Sequence, residues 1–133
     1  VNRTFPPVGA ILLDQVLILV FILVGLVFHE SMPLVSILTW QGVFQLFGTA
    51  FPFMLAGFLA WAGLILKQYY KLLSSGAIVW ASVVVLGLVF RVMNGGGVQP
   101  TFILTTALFT GILLIGWRLV AGLILRARPA EAV

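Results

Sequence analysis

Four long apolar runs organise the chain, each interrupted only by isolated polar or small residues. They lie at about 9–28 (GAILLDQVLILVFILVGLVF), 50–70 (AFPFMLAGFLAWAGLILKQYY), 76–93 (GAIVWASVVVLGLVFRVM) and 100–125 (PTFILTTALFTGILLIGWRLVAGLIL). A helix needs roughly 20 mostly apolar residues to cross a bilayer core. The pattern therefore predicts four transmembrane helices. The first run is too long for a cleaved signal peptide and lacks a small-residue cleavage site after it.

Between the first two runs, at about 33–48, the pattern is more polar and broken. Pro33 can start a short helix, while Gly42 and Gly48 interrupt it. This predicts an amphipathic segment lying at the membrane surface, with Trp40 at headgroup level. Thr49 is then expected to cap the second helix, with Pro52 in its first turn, where a missing N–H matters little. The tail 126–133 is polar. The expected architecture is a single all-α domain over 1–133: an integral membrane four-helix bundle with a short interfacial segment between its first two helices.

Composition agrees with that pattern. Of 133 residues, 62% are hydrophobic and 8% charged, whereas soluble domains carry about 45–50% apolar and about 25% charged residues. The excess must face lipid. A net charge of +4 could suggest nucleic acid, but the charges sit at the ends of the apolar runs. Arg3, Lys67, Lys71, Arg126 and Arg128 fall at the N-terminus, the second loop and the C-terminus, which share one side of a four-span protein. Basic residues mark the cytoplasmic side. The expectation is a protein of the cell membrane with both termini cytoplasmic and no nucleic-acid partner. The chain has no cysteine, so it builds no disulfide or thiolate metal site.

In lipid, small residues mark where helix backbones touch. Gly76, Trp80, Gly87 and Arg91 fall within roughly a 60° arc of the third helix, and Ala107, Gly111, Arg118 and Gly122 within a similar arc of the fourth. Ala56 and Ala60 supply small positions on the second helix, and Gly25 shares the face of Asp14 on the first. Both arginines lie on small-residue faces, which places them inside the bundle. Asp14 and Arg118 match in depth to about 3 Å, so the first helix is expected to pack on the fourth with these two residues paired. A charge in mid-membrane costs about 2.5–3.5 kcal/mol on insertion scales. The pair reads as a structural ion pair, or as a proton or ion site; in a third reading the two never meet.

At the opposite side His29 and Glu30 end the first helix. His29, the only histidine, reads as an interfacial polar end, with a pH sensor or a pigment ligand as alternatives. Glu30 is a candidate partner for Arg91. The stretch RVMNGGGVQP joins the third and fourth helices. Its three glycines, Gly95, Gly96 and Gly97, allow a tight turn, and with Arg91 they could instead build a backbone nest for an anion. Thr101, Thr105, Thr106 and Thr110 decorate the fourth helix, where hydroxyls usually bond back to helix carbonyls.

The combination of Gly76, Trp80, Gly87, Arg91, the GGG run, Pro100, Phe102, Gly116, Trp117 and Arg118, with Asp14 and AFPF upstream, resembles the family of small bacterial and archaeal membrane proteins filed as domain of unknown function 3054 (DUF3054). The resemblance covers roughly residues 10–125. It implies a four-helix membrane protein and no particular activity. The longer, greasier stretch PLVSILTWQGVFQLFG departs from the family's usual connector.

No carboxylate pair, HExxH or phosphate-binding loop occurs, and no serine has a histidine–acid arrangement nearby. The expectation is a non-catalytic accessory or structural subunit. It packs as a homo-oligomer or in a larger membrane complex and contacts lipid or pigment, with no cofactor required by the sequence. The alternative is a small oligomeric channel or transporter lined by Thr105, Thr106 or Thr110. A lipid-modifying enzyme lacks the residues.

Overall fold

A computed structural model describes residues 7–29 and 33–127. Four helices, α1 (Pro7–His29), α2 (Trp40–Leu66), α3 (Leu72–Met93) and α4 (Pro100–Ala127), are each long and apolar enough to cross a membrane, and a short 3-10 helix (Leu34–Leu38) precedes α2. The fold is all-α. Each helix packs on its neighbours in the order α1–α2–α3–α4, and α1 closes the ring against α4. The α2–α3 interface is the most extensive and the α1–α4 interface the least. Ile18, Phe53, Val79, Val83 and Leu114 fill the centre.

The bounds of α1 and α4 lie within two residues of expectation. Those of α2 and α3 do not. The second helix starts at Trp40 instead of about 50 and stops at Leu66 instead of about 70. Thr39, not Thr49, is its cap: the Thr39 hydroxyl accepts from the Gly42 N–H at 3.1 Å. Pro52 lies inside the helix and is buried. The interfacial segment expected over 33–48 is thus the 3-10 turn plus the first turns of α2. The sequence pattern treats Gly42 and Gly48 as breakers, but the helix runs through both. Backbone groups entering lipid have no better partner than the helix itself. Gly42 serves a close approach: a Cβ there would lie 1.9 Å from the Ser36 carbonyl oxygen. At 1.5 Å per residue α2 is about 40 Å long, more than the roughly 30 Å hydrocarbon core, and its exposed Trp40 and Phe44 extend one end.

The third helix begins at Leu72, not 76, with Ser75 buried in its first turn. Both ends of the α2–α3–α4 hairpins close in the same way. At the end of α2, the Gln68 N–H donates to Ile65 O (3.0 Å) and the Tyr69 N–H to Leu64 O (2.9 Å). At the end of α3, the Gly95 N–H donates to Val92 O (3.0 Å) and the Gly96 N–H to Arg91 O (2.8 Å). These are paired 5→2 and 6→1 bonds of a Schellman motif, which needs a left-handed residue just past the helix. Gly95 takes that position with φ +85, but in the shorter loop a side-chain-bearing residue, Gln68, takes it with φ 52.

Candidate functional site: a buried carboxylate–guanidinium centre

Asp14 sits two turns into α1 and Arg118 near the end of α4, so antiparallel packing brings them to one depth. They meet: Arg118 Nη2 donates to Asp14 Oδ2 at 2.7 Å and Nη1 to Oδ1 at 2.8 Å. Both side chains are 0% exposed. The fork of the guanidinium matches the carboxylate in parallel, the strongest geometry for such a pair.

Two indoles complete the carboxylate's shell. Trp61 of α2 donates to Oδ2 at 2.8 Å and Trp117 of α4 to Oδ1 at 2.9 Å. An ionised carboxylate offers about four lone-pair sites, and here each oxygen accepts two N–H groups. Arg118 Nη1 also donates to the Leu114 carbonyl at 2.7 Å. Its guanidinium carbon lies 4.6 Å from the Trp117 ring centroid. The third helix contributes by omission. A Cβ on Gly76 would lie 2.3 Å from Arg118 Cδ and 2.7 Å from Nε, so only glycine lets the arginine stem lie along α3. One point in the bundle therefore draws on all four helices. Desolvating two charges is expensive and is offset only where geometry is good and the remaining valences are met. No lone pair of Asp14 is left for an incoming proton or cation unless one of these bonds breaks.

Sequence reasoning reaches Asp14, Arg118 and Gly76 but misses both indoles and Gln15. The signal for the indoles was available: a Trp N–H buried in lipid must find an acceptor, and Asp14 is the only acid in any span. Gln15 is 5% exposed, with its amide against Gly57, and neither amide atom has a hydrogen-bond partner among the described residues.

The other small positions differ in use. The missing Cβ of Gly87 would lie 2.5 Å from Phe53 Cδ1, and that of Gly111 3.1 Å from Trp80 Nε1. Trp80 itself donates to the Ala107 carbonyl at 2.9 Å, tying α3 to α4. Ala56 is fully buried and Ala60 half-buried against the core. Gly122 meets only Leu72, at 3.8 Å. Gly25 corrects the expectation of a packed α1–α4 seam: nothing lies within 4 Å of its absent Cβ. The helices meet at Asp14 and part towards Gly25. Thr106 and Thr110 are buried, and the Thr110 hydroxyl donates to the Thr106 carbonyl.

At the other end of the bundle the glycine turn is not a nest. The N–H groups of Gly95 and Gly96 close α3, and the carbonyl of Gly97 accepts from Arg91 Nε at 2.8 Å. Arg91 lies over Phe102, 4.5 Å from the ring centroid. Glu30, a candidate partner for Arg91, and the His29 side chain, read as an interfacial polar end with pigment ligation as an alternative, lie outside the described residues. Phe21, Gly25 and Phe102 line two adjoining cavities where α1 and α4 part, of about 240 Å³ and about 110 Å³.

A protein-family model described as "Protein of unknown function (DUF3054)" matches residues 11–121, a span that includes every member of the buried centre. No curated protein and no solved structure matches.

Proposed function

The chain belongs to that family of unknown function, and from this premise we propose that it is a non-catalytic membrane subunit. It packs with copies of itself or into a larger complex. One observation carries the reading. Between α3 and α4, on the outside of the bundle, lies a shallow groove of about 450 Å³ lined by Trp80, Ala107, Gly111, Ile112, Gly116 and Leu119. Its small residues, Ala107, Gly111 and Gly116, leave it open. Gly116 has nothing within 4 Å of its missing Cβ, although small residues in lipid are normally where another backbone arrives. α4 is also the least buried span, 17% buried against 44% for α2. Meanwhile the Asp14 carboxylate is saturated from within, as suits a lock between helices, although the buried Arg118 Nε has no partner among the described residues. The Lys and Arg distribution supports insertion in the cell membrane with both termini cytoplasmic.

Purification from native membranes in mild detergent tests this. An oligomer or a stoichiometric complex is expected, and Gly116→Phe should dissociate it while leaving a folded, helical monomer. A wild-type chain that runs as a lone monomer rejects the reading.

A second reading, a small oligomeric channel or transporter, draws on the unpartnered polar atoms of Gln15 and Thr106 inside the bundle. Ion or solute flux into liposomes that is lost in Thr106→Val would favour it.

A further inference from the structure

We propose that the parting of α1 and α4 is a binding site for an anionic phospholipid, with Arg91 as the headgroup residue. The proposal rests on the chain spanning a membrane, and not on its assembly with partners. The two cavities there share Phe21, Gly25 and Phe102. The smaller is lined also by Arg91 and Thr49, with Ile22 and Leu26. The larger opens along Gln99, Thr101 and Thr105. Together they form one cleft with apolar walls and hydroxyl, amide and guanidinium groups at one end.

Three properties select the occupant. The first is charge. Arg91 is held in place through Nε, by the Gly97 carbonyl, and by its stacking on Phe102. Its two terminal nitrogens make no hydrogen bond within the described residues, and a guanidinium presents those donors as a fork suited to phosphate. The second is size. Small-molecule pockets run from about 300 to 1,000 Å³, and these two cavities, of about 240 Å³ and about 110 Å³, together reach only the bottom of that range. A ligand seated there keeps most of itself outside, which fits an acyl chain that lies partly in the bilayer. The third is position. The cleft lies in the leaflet at the α3–α4 turn, the end remote from the Asp14–Arg118 centre. Gly25 is what leaves it open.

The test uses the full chain in a neutral detergent, with native mass spectrometry and thermal melting read by circular dichroism. The probes are phosphatidylglycerol, phosphatidylcholine of the same acyl chains, and inorganic phosphate. Phosphatidylglycerol is expected to bind one per chain, with about tenfold preference over phosphatidylcholine, and to raise the melting temperature. Arg91→Gln should abolish the preference, and Arg91→Lys should retain part of it. Gly25→Leu, which fills empty space, should abolish binding without lowering the melting temperature of the lipid-free protein. Should Arg91→Gln fail to fold, Arg91→Lys and Gly25→Leu decide. Equal retention of the two lipids, undiminished binding in Gly25→Leu, or equal stabilisation by inorganic phosphate overturns the proposal.

Discussion

The Cβ that Gly76 lacks would stand 2.3 Å from Cδ of Arg118. The arginine cannot retreat, because Asp14 and the Leu114 carbonyl hold its far end. Gly76→Ala should therefore lower stability by about 1–3 kcal/mol, the usual range for overpacking. In an Arg118→Met background, where a flexible thioether replaces the pinned stem, the same substitution should cost less by more than about 0.5 kcal/mol, the coupling expected of residues in contact. Denaturation of the four proteins in detergent, followed by circular dichroism, closes the cycle. An equal loss in both backgrounds would show that the glycine serves something other than the arginine.

Removing one member of the buried pair leaves the other charged in lipid. Asp14→Ala and Arg118→Ala should each lower stability by about 3–5 kcal/mol, while an apolar pair, Asp14→Leu with Arg118→Met, should recover much of that. Exchanging the charges should not rescue the fold. Two indole N–H groups point at position 14, and a guanidinium has no lone pair for them. A charge-swapped protein as stable as wild type would show the indole bonds to be incidental.

Each of those bonds can be removed alone. Trp61→Phe and Trp117→Phe keep an aromatic ring but lose the donor, and each should lower stability by about 1.5–3 kcal/mol, the range for a hydrogen bond to a charged group. Urea or heat denaturation in detergent measures both. Trp80→Phe is a useful contrast, since its acceptor is a neutral carbonyl; its loss should lie nearer 1 kcal/mol, about the mean for neutral bonds.

The two Schellman turns make opposite predictions. Gln68 occupies a left-handed position that disfavours a side chain by about 1–2 kcal/mol, so Gln68→Gly should raise the melting temperature. Gly95→Ala should lower it by imposing the same strain. Gly97→Ala, with nothing within 4 Å of its missing Cβ, should leave it unchanged.

What could be read in the sequence follows from what lipid makes compulsory. Spans are legible because they must be long and apolar. The Asp14–Arg118 pair is legible because a buried charge needs a partner at its own depth. The start of α2 is not, since Gly42 looks like a helix breaker until Ser36 is seen lying against it. Nor is Gly25, because a small residue on the right helical face can mark either a contact or a gap. The donors Trp61 and Trp117 are hidden in a chain with four tryptophans, where any of them could serve as a belt residue. Arg91 turned to the Gly97 carbonyl, a backbone group that side-chain pattern does not reveal.

The centre also orders events in time. Asp14 enters the membrane with the first helix, and its cation follows 104 residues later. During synthesis the carboxylate must wait, first finding the indole of Trp61 and only at the end the fork of Arg118. A chain truncated before its last helix would hold an uncompensated acid in hydrocarbon. The salt bridge thus forms only when the fourth helix has been made and has docked.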